Sequence, residues 1–255
     1  MQIDFTGKNV LITGGSRGIG KACAQLFSEF HANVIITYKS AHADAKQTIE
    51  GLKQSGNHSL YCLDITQPEA IEHVFQEVVQ NYGRIDVLVN NAGIYLEHKI
   101  ADVSYKDWQQ AWNETIGTNL TGVSNLCYLG ARHMIKQGGG KIVNISSRGA
   151  FRGEPDHPAY GASKAGLNAL SQSLAIALAP YGITIGVVAP GFVETDMAAA
   201  YLQSDAGEAV KRQSPLNRVA TPEEVARVVA VFAANGFEFM TGGIVDLNGA
   251  SYLRS

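Results

Sequence analysis

The sequence predicts a doubly wound α/β fold of Rossmann type, with a seven-stranded parallel sheet flanked by helices. Short runs of β-branched apolar residues alternate with longer stretches that have helical spacing. The short runs are apolar throughout, which is typical of parallel strands covered on both faces. A glycine-rich turn follows the first run and opens a helix. Composition hardly changes along the 255 residues, so we assign residues 1–255 to a single domain.

The elements follow one another at fairly even spacing. The predicted strands are Val10–Thr13, Val34–Thr37, Leu60–Leu63, Ile85–Val89, Lys141–Ile145, Thr184–Val188 and Ile244–Leu247. Apolar residues three and four apart predict helices over Ile19–Phe30 and Glu69–Gln80. Pro68 suits the first turn of the second helix, with Thr66 as its cap. Ligands of such sheets bind beyond the carboxyl ends of the strands, so the residues after each strand decide the function.

Composition and charge exclude several classes of protein. Hydrophobic residues make up 45% and charged residues 17%, and 20 Lys+Arg against 23 Asp+Glu leave a net charge of −3. We therefore expect no nucleic-acid partner, and no apolar run approaches the roughly 18–20 residues of a membrane span. Three cysteines without a CxxC pair argue against a disulfide framework and a metal site. With no signal-peptide pattern at the start, we expect a cytoplasmic protein without a membrane partner.

The glycine-rich turn after the first strand predicts a dinucleotide site. Glycines let the backbone approach a pyrophosphate closely, and a helix N-terminus favours its negative charge. A bare turn is the alternative, but the strand before it and the helix after it favour the dinucleotide. The residues assigned to this contact are Gly14, Ser16, Arg17, Gly18, Ile19 and Gly20.

The end of the second strand favours NADP(H) over NAD(H). An NAD site usually offers a carboxylate there, whereas this sequence has none between Tyr38 and Asp44. Lys39, together with Arg17, is suited to hold a 2′-phosphate. The alternative is that both are solvated surface residues and that NAD(H) is used.

Two further strand ends complete the predicted cofactor site. Asp64, followed by Ile65, is placed to accept a bond from the adenine amino group or, equally, to cap the helix near Pro68. Small residues after the fourth strand suit a close approach to the cofactor; these are Asn91, Ala92 and Gly93. The alternative is that the amides of Asn90 and Asn91 bond between strand ends, and the two roles are compatible.

A tyrosine and a lysine carry the predicted chemistry. Tyr160 and Lys164 are four residues apart, so they stand on one face of a helix. A phenol with a pKa of ~10 is a poor acid–base catalyst at neutral pH, and a nearby ammonium lowers that pKa. Ser147 follows the fifth strand, where its hydroxyl can bond a carbonyl oxygen. Such a Tyr–Lys pair alone is a common accident, but its combination with the glycine turn makes chance a poor explanation.

These motifs together resemble the short-chain dehydrogenase/reductase family, in its single-domain branch, over the whole chain. The family pattern T-G-x-x-x-G-x-G is matched by Thr13, Gly14, Gly18 and Gly20, and N-N-A-G by Asn90–Gly93. The resemblance implies an NAD(P)-dependent oxidoreductase acting on CH–OH groups, with the catalytic set Asn119, Ser147, Tyr160 and Lys164. It also implies cofactor contacts from a segment after the sixth strand, at Pro190, Gly191, Val193 and Thr195.

The resemblance further implies a mechanism without a metal. NADPH delivers hydride to a carbonyl carbon while Tyr160 protonates the oxygen. Ser147 orients that oxygen, and Lys164 bonds the nicotinamide ribose and lowers the pKa of Tyr160. Asn119 holds a water that links Lys164 to solvent.

The substrate is less well defined. The segment Val188–Met197 is closest to 3-oxoacyl-ACP reductases, but Gln137–Gly138 and Pro180–Gly182 lack the basic residues expected for an acidic carrier. Three hypotheses are open: a carbonyl reductase of unknown small-molecule substrate, a 3-oxoacyl-ACP reductase, and a non-catalytic NAD(P)-binding sensor. The intact catalytic set argues against the sensor.

A polar segment between Ser147 and Tyr160 is expected to line the substrate cleft. It favours a polar or anionic substrate met by Arg148 or Arg152, although surface loop charges are an equal alternative. The substrate-lining residues are predicted to be Arg148, Arg152, His157 and Phe192. Residues 192–215 are expected to form a mobile lid. In the resembled family, the long helix after the fourth strand and the Tyr160 helix form oligomer faces, so we expect a homotetramer or a dimer.

Overall fold

Seven strands form one parallel sheet in the computed structural model, which describes residues 3–53, 55–195, 198 and 202–254. The strands are β1 Asn9–Ile12, β2 Asn33–Tyr38, β3 Ser59–Cys62, β4 Val87–Asn90, β5 Gly140–Ile145, β6 Ile183–Pro190 and β7 Ile244–Leu247. Their order in the sheet is β3-β2-β1-β4-β5-β6-β7. This confirms the predicted fold class, and the predicted strand ends agree to within two residues.

Eight helices of the described residues connect and cover these strands. They are α1 Gly18–Glu29, α2 His42–Glu50, α3 Pro68–Tyr82, α4 Tyr105–Ile116, α5 Val123–Gln137, α6 Pro158–Leu178, α7 Asp205–Lys211 and α8 Pro222–Ala233. A π-helical turn at Gly117–Gly122 joins α4 to α5 into one long helical stretch. No helix in these described ranges combines the length and the apolar character needed to cross a membrane.

The central strands are buried because both faces of the sheet carry a core. On one face, Val10 and Ile12 of β1 pack in a cluster with Phe27 of α1. On the other face, Leu11 packs in a second cluster with Leu126 of α5. Alternate residues of one strand thus enter opposite cores, which explains why the strand sequences are apolar throughout.

The helices α3 and α8 are capped differently, and the cap of α3 departs from the prediction. The N-cap of α3 is Gln67, without a side-chain hydrogen bond, so the prediction of Thr66 as the cap is wrong. The Thr66 hydroxyl instead donates to the Asp64 carboxylate over 2.8 Å. At α8, by contrast, Thr221 and Glu224 form a reciprocal capping box.

The strand order reverses between β1 and β4, which places a crevice at their carboxyl ends. The turn before α1, the residues after β4, and the segments after β5 and β6 all leave the sheet at this edge. The residues singled out by the sequence therefore share one edge of the molecule.

Candidate active site

The turn between β1 and α1 has a backbone that favours glycine at two places. Gly14 and Gly18 have φ angles of +66° and +54°, in the left-handed region. A Cβ at Gly20 would collide with the carbonyl oxygen of Gly14. Arg17, the N-cap of α1, makes no side-chain cap bond and is exposed. The N-terminus of α1 is thus presented to a ligand through a glycine-lined approach.

The residues after β4 hold this turn in place. The Asn91 side chain donates to the carbonyl oxygens of Thr13 and Gly14, each over 3.0 Å. The Thr13 hydroxyl in turn accepts the backbone N–H groups of Asn91 and Ala92, each at 3.1 Å. Asn90 donates to the Asn144 side chain on β5 over 2.8 Å. The two amides therefore bond between strand ends, as the structural alternative expected, and they bring Ala92 against Gly14.

Two residues predicted to hold the adenosine end bind each other. The Lys39 ammonium lies 2.8 Å from the Asp64 carboxylate, and Lys39 remains 67% exposed. Burial acts to raise the pKa of Asp64, but hydrogen bonds from Lys39 and Thr66 prevail and hold it below its ordinary value. Asp64 organises the turn before α3 through Thr66 and is not the cap of that helix. Ile65 is buried beside it.

Tyr160 and Lys164 stand together on α6, one turn apart. The Lys164 ammonium lies 5.7 Å from the centroid of the Tyr160 ring and donates to the Ile145 carbonyl over 2.8 Å. Burial lowers the pKa of Lys164 to about 8. The Ser147 hydroxyl hydrogen-bonds to the Tyr160 phenol and accepts the Gly149 N–H at 3.0 Å. The end of β5 and the start of α6 thus bring three polar groups to one point.

The expected lowering of the Tyr160 pKa is wrong for this structure. Burial raises the pKa of the phenol, and the negative charge of Glu154 raises it further, while the hydrogen bond with Ser147 acts in the opposite direction. Lys164 does not reverse this because burial lowers its own pKa to about 8, so it has lost its charge at the higher pH at which the phenol would ionise. The arrangement keeps the phenol protonated, which suits a proton donor.

Asn119 lies in the π-helical turn and is fully buried. Its side chain accepts the N–H of Ile94 at 2.8 Å and donates to the carbonyl of Ile94 over 2.9 Å. A Cβ at Gly93 would stand 3.3 Å from the Asn119 side-chain oxygen and 3.6 Å from the Lys164 nitrogen. Asn119 therefore clamps the chain after β4 where that chain passes Lys164.

The segment after β6 approaches the glycine turn. Pro190 ends β6, and the buried Val193 pairs with Ala220 in an isolated bridge. A Cβ at Gly191 would contact Asn248. A Cβ at Gly18 would lie 3.2 Å from the side chain of Thr195. Thr195 thus reaches the start of α1, on the cofactor side of the site.

The four predicted substrate-lining residues differ in their surroundings. Arg148 is 5% exposed, so the surface-charge alternative is wrong for it. Its guanidinium lies 5.3 Å from the ring centroid of Phe192. Arg152 is partly exposed. His157 is the N-cap of α6 by its backbone, without a side-chain cap bond, and its ring stacks on Tyr95 at 3.6 Å. Of the predicted lid, residues 196–197 and 199–201 lie outside the described residues.

Two residues near Tyr160 were not predicted from the sequence. Tyr95 packs edge-on against the Tyr160 ring at 4.6 Å and donates to Glu154 over 3.3 Å. His98 is buried and accepts the N–H of Ala159, the residue before Tyr160, at 3.1 Å. Their position soon after the N-N-A-G motif indicates that they lie near the site. No periodicity in the sequence, however, links them to α6.

Comparisons with known proteins agree with this geometry. A family model described as Enoyl-(Acyl carrier protein) reductase matches residues 14–249. The 3-oxoacyl-[acyl-carrier-protein] reductase FabG of Thermotoga maritima is 39% identical over 246 residues, which cover 95% of this chain and 97% of that protein. FabG of Escherichia coli K12 is 38% identical over 251 residues, covering 98% and 100%.

Solved structures extend the likeness to the fold. A short chain dehydrogenase from Burkholderia cenocepacia, in complex with NADP, superposes with a TM-score of 0.89 at 30% identity and covers 97% of this chain and 98% of that one. A dehydrogenase/reductase from Sinorhizobium meliloti has a TM-score of 0.90 at 32% identity, with coverage of 98% and 97%.

Proposed function

This chain belongs to the short-chain dehydrogenase/reductase family, and from that premise we propose that it transfers a hydride between NADP(H) and a carbonyl or secondary alcohol group. One observation carries the proposal: Ser147, Tyr160 and Lys164 meet at the same sheet edge as the glycine turn. Reductases of this family need both a dinucleotide cradle and a proton donor there. The substrate is a small molecule.

The residues present fit a bound dinucleotide. The left-handed Gly14 and Gly18 open a close approach to the N-terminus of α1, which no side chain caps. Lys39 and Arg17 offer two exposed cations for a 2′-phosphate, which favours NADP(H), with NAD(H) as the alternative. Thr195 stands beside Gly18 of the glycine turn, and Gly93 lies close to the Lys164 ammonium. When bound there, the cofactor supplies the hydride.

The side chains of this chain supply the rest of the chemistry. Tyr160, kept protonated by burial and Glu154, donates its proton to the carbonyl oxygen. Ser147 hydrogen-bonds to the phenol and orients the same oxygen. Lys164 places a positive charge beside the phenolate that forms when the proton leaves. Asn119 holds the backbone of Ile94 and so the wall next to Lys164.

Reduction of 3-oxoacyl thioesters on an acyl carrier protein is a second candidate function. It is favoured by the relatives named for that activity, which are 34–39% identical over nearly the whole chain. It is opposed by the sparse basic residues near Gln137 and Pro180, where a carrier is expected to dock.

We also propose a cellular location and an oligomeric state for this chain. Free cysteines at Cys23, Cys62 and Cys127 suit a reducing cytoplasm. The outer face of α6 exposes small residues and Ile176, which is 80% exposed, while Leu167 of the same helix is in the core. An outer face of this kind supports a homodimer or homotetramer packed through α6.

Replacing Tyr160 by Phe tests the proposal directly. We expect Tyr160→Phe to lower kcat by at least about a hundredfold, since general acid catalysis typically contributes 10²–10⁴-fold. NADPH binding, measured by fluorescence titration, should stay near that of the wild type because the aromatic ring and Lys164 remain. A panel of ketones and alcohols with NADPH and NADH provides the substrates.

Tyr181→Phe is the matched control, because Tyr181 is exposed in the turn after α6 and far along the chain from the site. It should leave kcat unchanged. Wild-type turnover in Tyr160→Phe would overturn the catalytic assignment. Tight NADPH binding with no turnover of any carbonyl in the panel would instead support the non-catalytic sensor.

A further inference from the structure

Two guanidinium groups converge on one neutral oxygen next to the predicted catalytic residues. Arg148 donates to the side-chain oxygen of Gln213 over 2.9 Å, and Arg152 reaches the same oxygen at 3.5 Å. Arg148 also donates to the Ser251 hydroxyl over 2.7 Å. Within the described residues, both hydrogen bonds of the Arg148 guanidinium come from Nη1, so its Nε and Nη2 have no hydrogen-bond partner there. An amide oxygen is a weak acceptor for two cations, compared with a carboxylate or a phosphate.

Arg148 is only 5% exposed, and little negative charge lies near its guanidinium. Within the described ranges, neither guanidinium forms an ion pair with a carboxylate. Glu154 is the acidic group whose charge acts on both, but it accepts the Tyr95 hydroxyl at 3.3 Å. Burial raises the pKa of Glu154, which weakens it further as a counter-charge. A buried cation in such surroundings is costly unless an anion joins it.

Arg148 also faces space in which a ligand group fits. It lines a cavity of about 340 Å³ together with Phe192, Ser214, Asn248, Gly249 and Ser251. Among the described lining residues, the other charged groups are already paired: Arg218 binds Glu224 at 2.7 Å and Asp246 binds Arg254 at 2.7 Å.

Two residues that line the cavity, Arg148 and Phe192, connect it to the predicted site of reaction. Arg148 directly follows Ser147, and its guanidinium lies against Phe192, in the segment that reaches the glycine turn through Thr195. A group bound by Arg148 can therefore belong to the molecule whose carbonyl meets Ser147 and Tyr160.

We propose that Arg148, assisted by Arg152, binds an acidic group of the carbonyl substrate, a carboxylate or a phosphate. This inference rests on the proposed function and names its substrate class. The acidic group replaces the Gln213 oxygen as the shared acceptor, so the two guanidiniums gain a charged partner. A guanidinium stays charged at any working pH, so this preference persists across the pH range in which the enzyme is active.

The test compares oxo carboxylates of four to seven carbons with their methyl esters, using NADPH and the full-length protein. The wild type should prefer the acid in kcat/KM by about 10- to 150-fold, the range of a hydrogen bond to a charged group. The preference should appear mainly in KM. Arg148→Met should reduce it to less than about threefold, and Arg148→Lys should retain part of it because the positive charge remains.

Arg227→Met is the matched control, since Arg227 is exposed on α8 and does not line the cavity. It should keep the wild-type preference for the acid. Thermal unfolding of each variant, with and without NADPH, shows whether a lost preference reflects a lost fold. If Arg148→Met does not fold, two other measurements test the inference. One is the ratio of kcat/KM for acid and ester in Arg148→Lys, and the other is competition by inorganic phosphate against the oxo carboxylate in the wild type.

The outcomes separate the two proposals. Equal kcat/KM for acid and ester, with active wild-type enzyme, overturns the acidic-substrate inference and leaves the reductase proposal intact. In another outcome, inorganic phosphate raises the Tm of the wild type but not of Arg148→Met while acid and ester react equally. That result would show that the two arginines bind a free anion and not the substrate, and it likewise overturns the acidic-substrate inference. A wild type that reduces no carbonyl in any arm contradicts the proposed function itself.

Discussion

Lys164 is a buried ammonium that donates to the Ile145 carbonyl, and its pKa of about 8 makes it the group that sets the alkaline limit of activity. It is charged below that pH and loses its charge as the pH rises through about 8. Tyr160, whose pKa is raised, keeps its proton over the same range. We expect kcat/KM for NADPH in the reduction direction to fall above about pH 8, since that parameter reports the free enzyme.

Lys164→Arg separates this explanation from one based on Tyr160. The guanidinium keeps its charge, so the decline should move well above pH 8 even if the overall rate is lower. A pH–rate profile of both proteins measures the shift. An unchanged decline near pH 8 in the variant would assign it to another group.

Lys39 decides the cofactor preference if it holds a 2′-phosphate. Its ammonium is 67% exposed but is held by Asp64, so a phosphate must compete with that carboxylate. We expect Lys39→Ala to lower the preference for NADPH over NADH by about 10- to 100-fold, as for the loss of a charge-assisted bond. Ratios of kcat/KM for the two cofactors provide the measurement. Lys46→Ala, at an exposed position on α2, should leave the ratio unchanged.

At the scale of elements, α6 depends on His98 for the start of the helix. The His98 ring donates from Nδ1 to the Leu96 carbonyl at 2.9 Å and accepts the Ala159 N–H on Nε2 at 3.1 Å, which requires the neutral ring. Trp108 packs edge-on against it at 5.3 Å. The first turn of α6, and with it Tyr160, is thus positioned from the segment after β4.

Removing this acceptor should disturb catalysis more than cofactor binding. We expect His98→Phe to lower kcat by about tenfold or more and stability by about 1–3 kcal/mol, because the buried Ala159 N–H loses its partner. KM for NADPH should change little. His98→Gln, which retains an acceptor, should recover much of the kcat. Equal loss in both variants would show that ring packing matters and the hydrogen bond does not.

At the scale of the whole molecule, the two halves of the sheet meet at β1 and β4. Asn91 ties them at the carboxyl edge through Thr13 and Gly14, where a dinucleotide would span both halves. NADPH at a hundred times its Kd should add about 2.7 kcal/mol to the free energy of unfolding. For a chain of this size that corresponds to a rise in Tm of roughly 5–10 °C.

Thermal scans with NADPH, with NADH and without ligand measure this rise. Asn91→Ala should reduce it, because the glycine turn then loses two hydrogen bonds to the other half of the sheet. A rise of the same size in the variant would contradict the proposed role of Asn91 in holding the cofactor cradle.

The sequence by itself determined the strands, the principal helices and the grouping of the glycine turn, Ser147, Tyr160 and Lys164 at one edge of the sheet. Periodicity and chirality of the chain are local, and they dictate which residues share a face and which strand ends share an edge. The spacing of Tyr160 and Lys164 on α6 is the clearest example.

Only the tertiary structure decided which side chains bind one another across the chain. The Lys39–Asp64 ion pair, the cap from His98 to α6, and the bonds from Arg148 to Gln213 and Ser251 join residues with no common period. The direction of the Tyr160 pKa belongs here too, because burial and Glu154 raise it and outweigh the opposing effect of Ser147. Such contacts depend on how irregular segments pack against the sheet, and hydrophobic patterning carries no information about that packing.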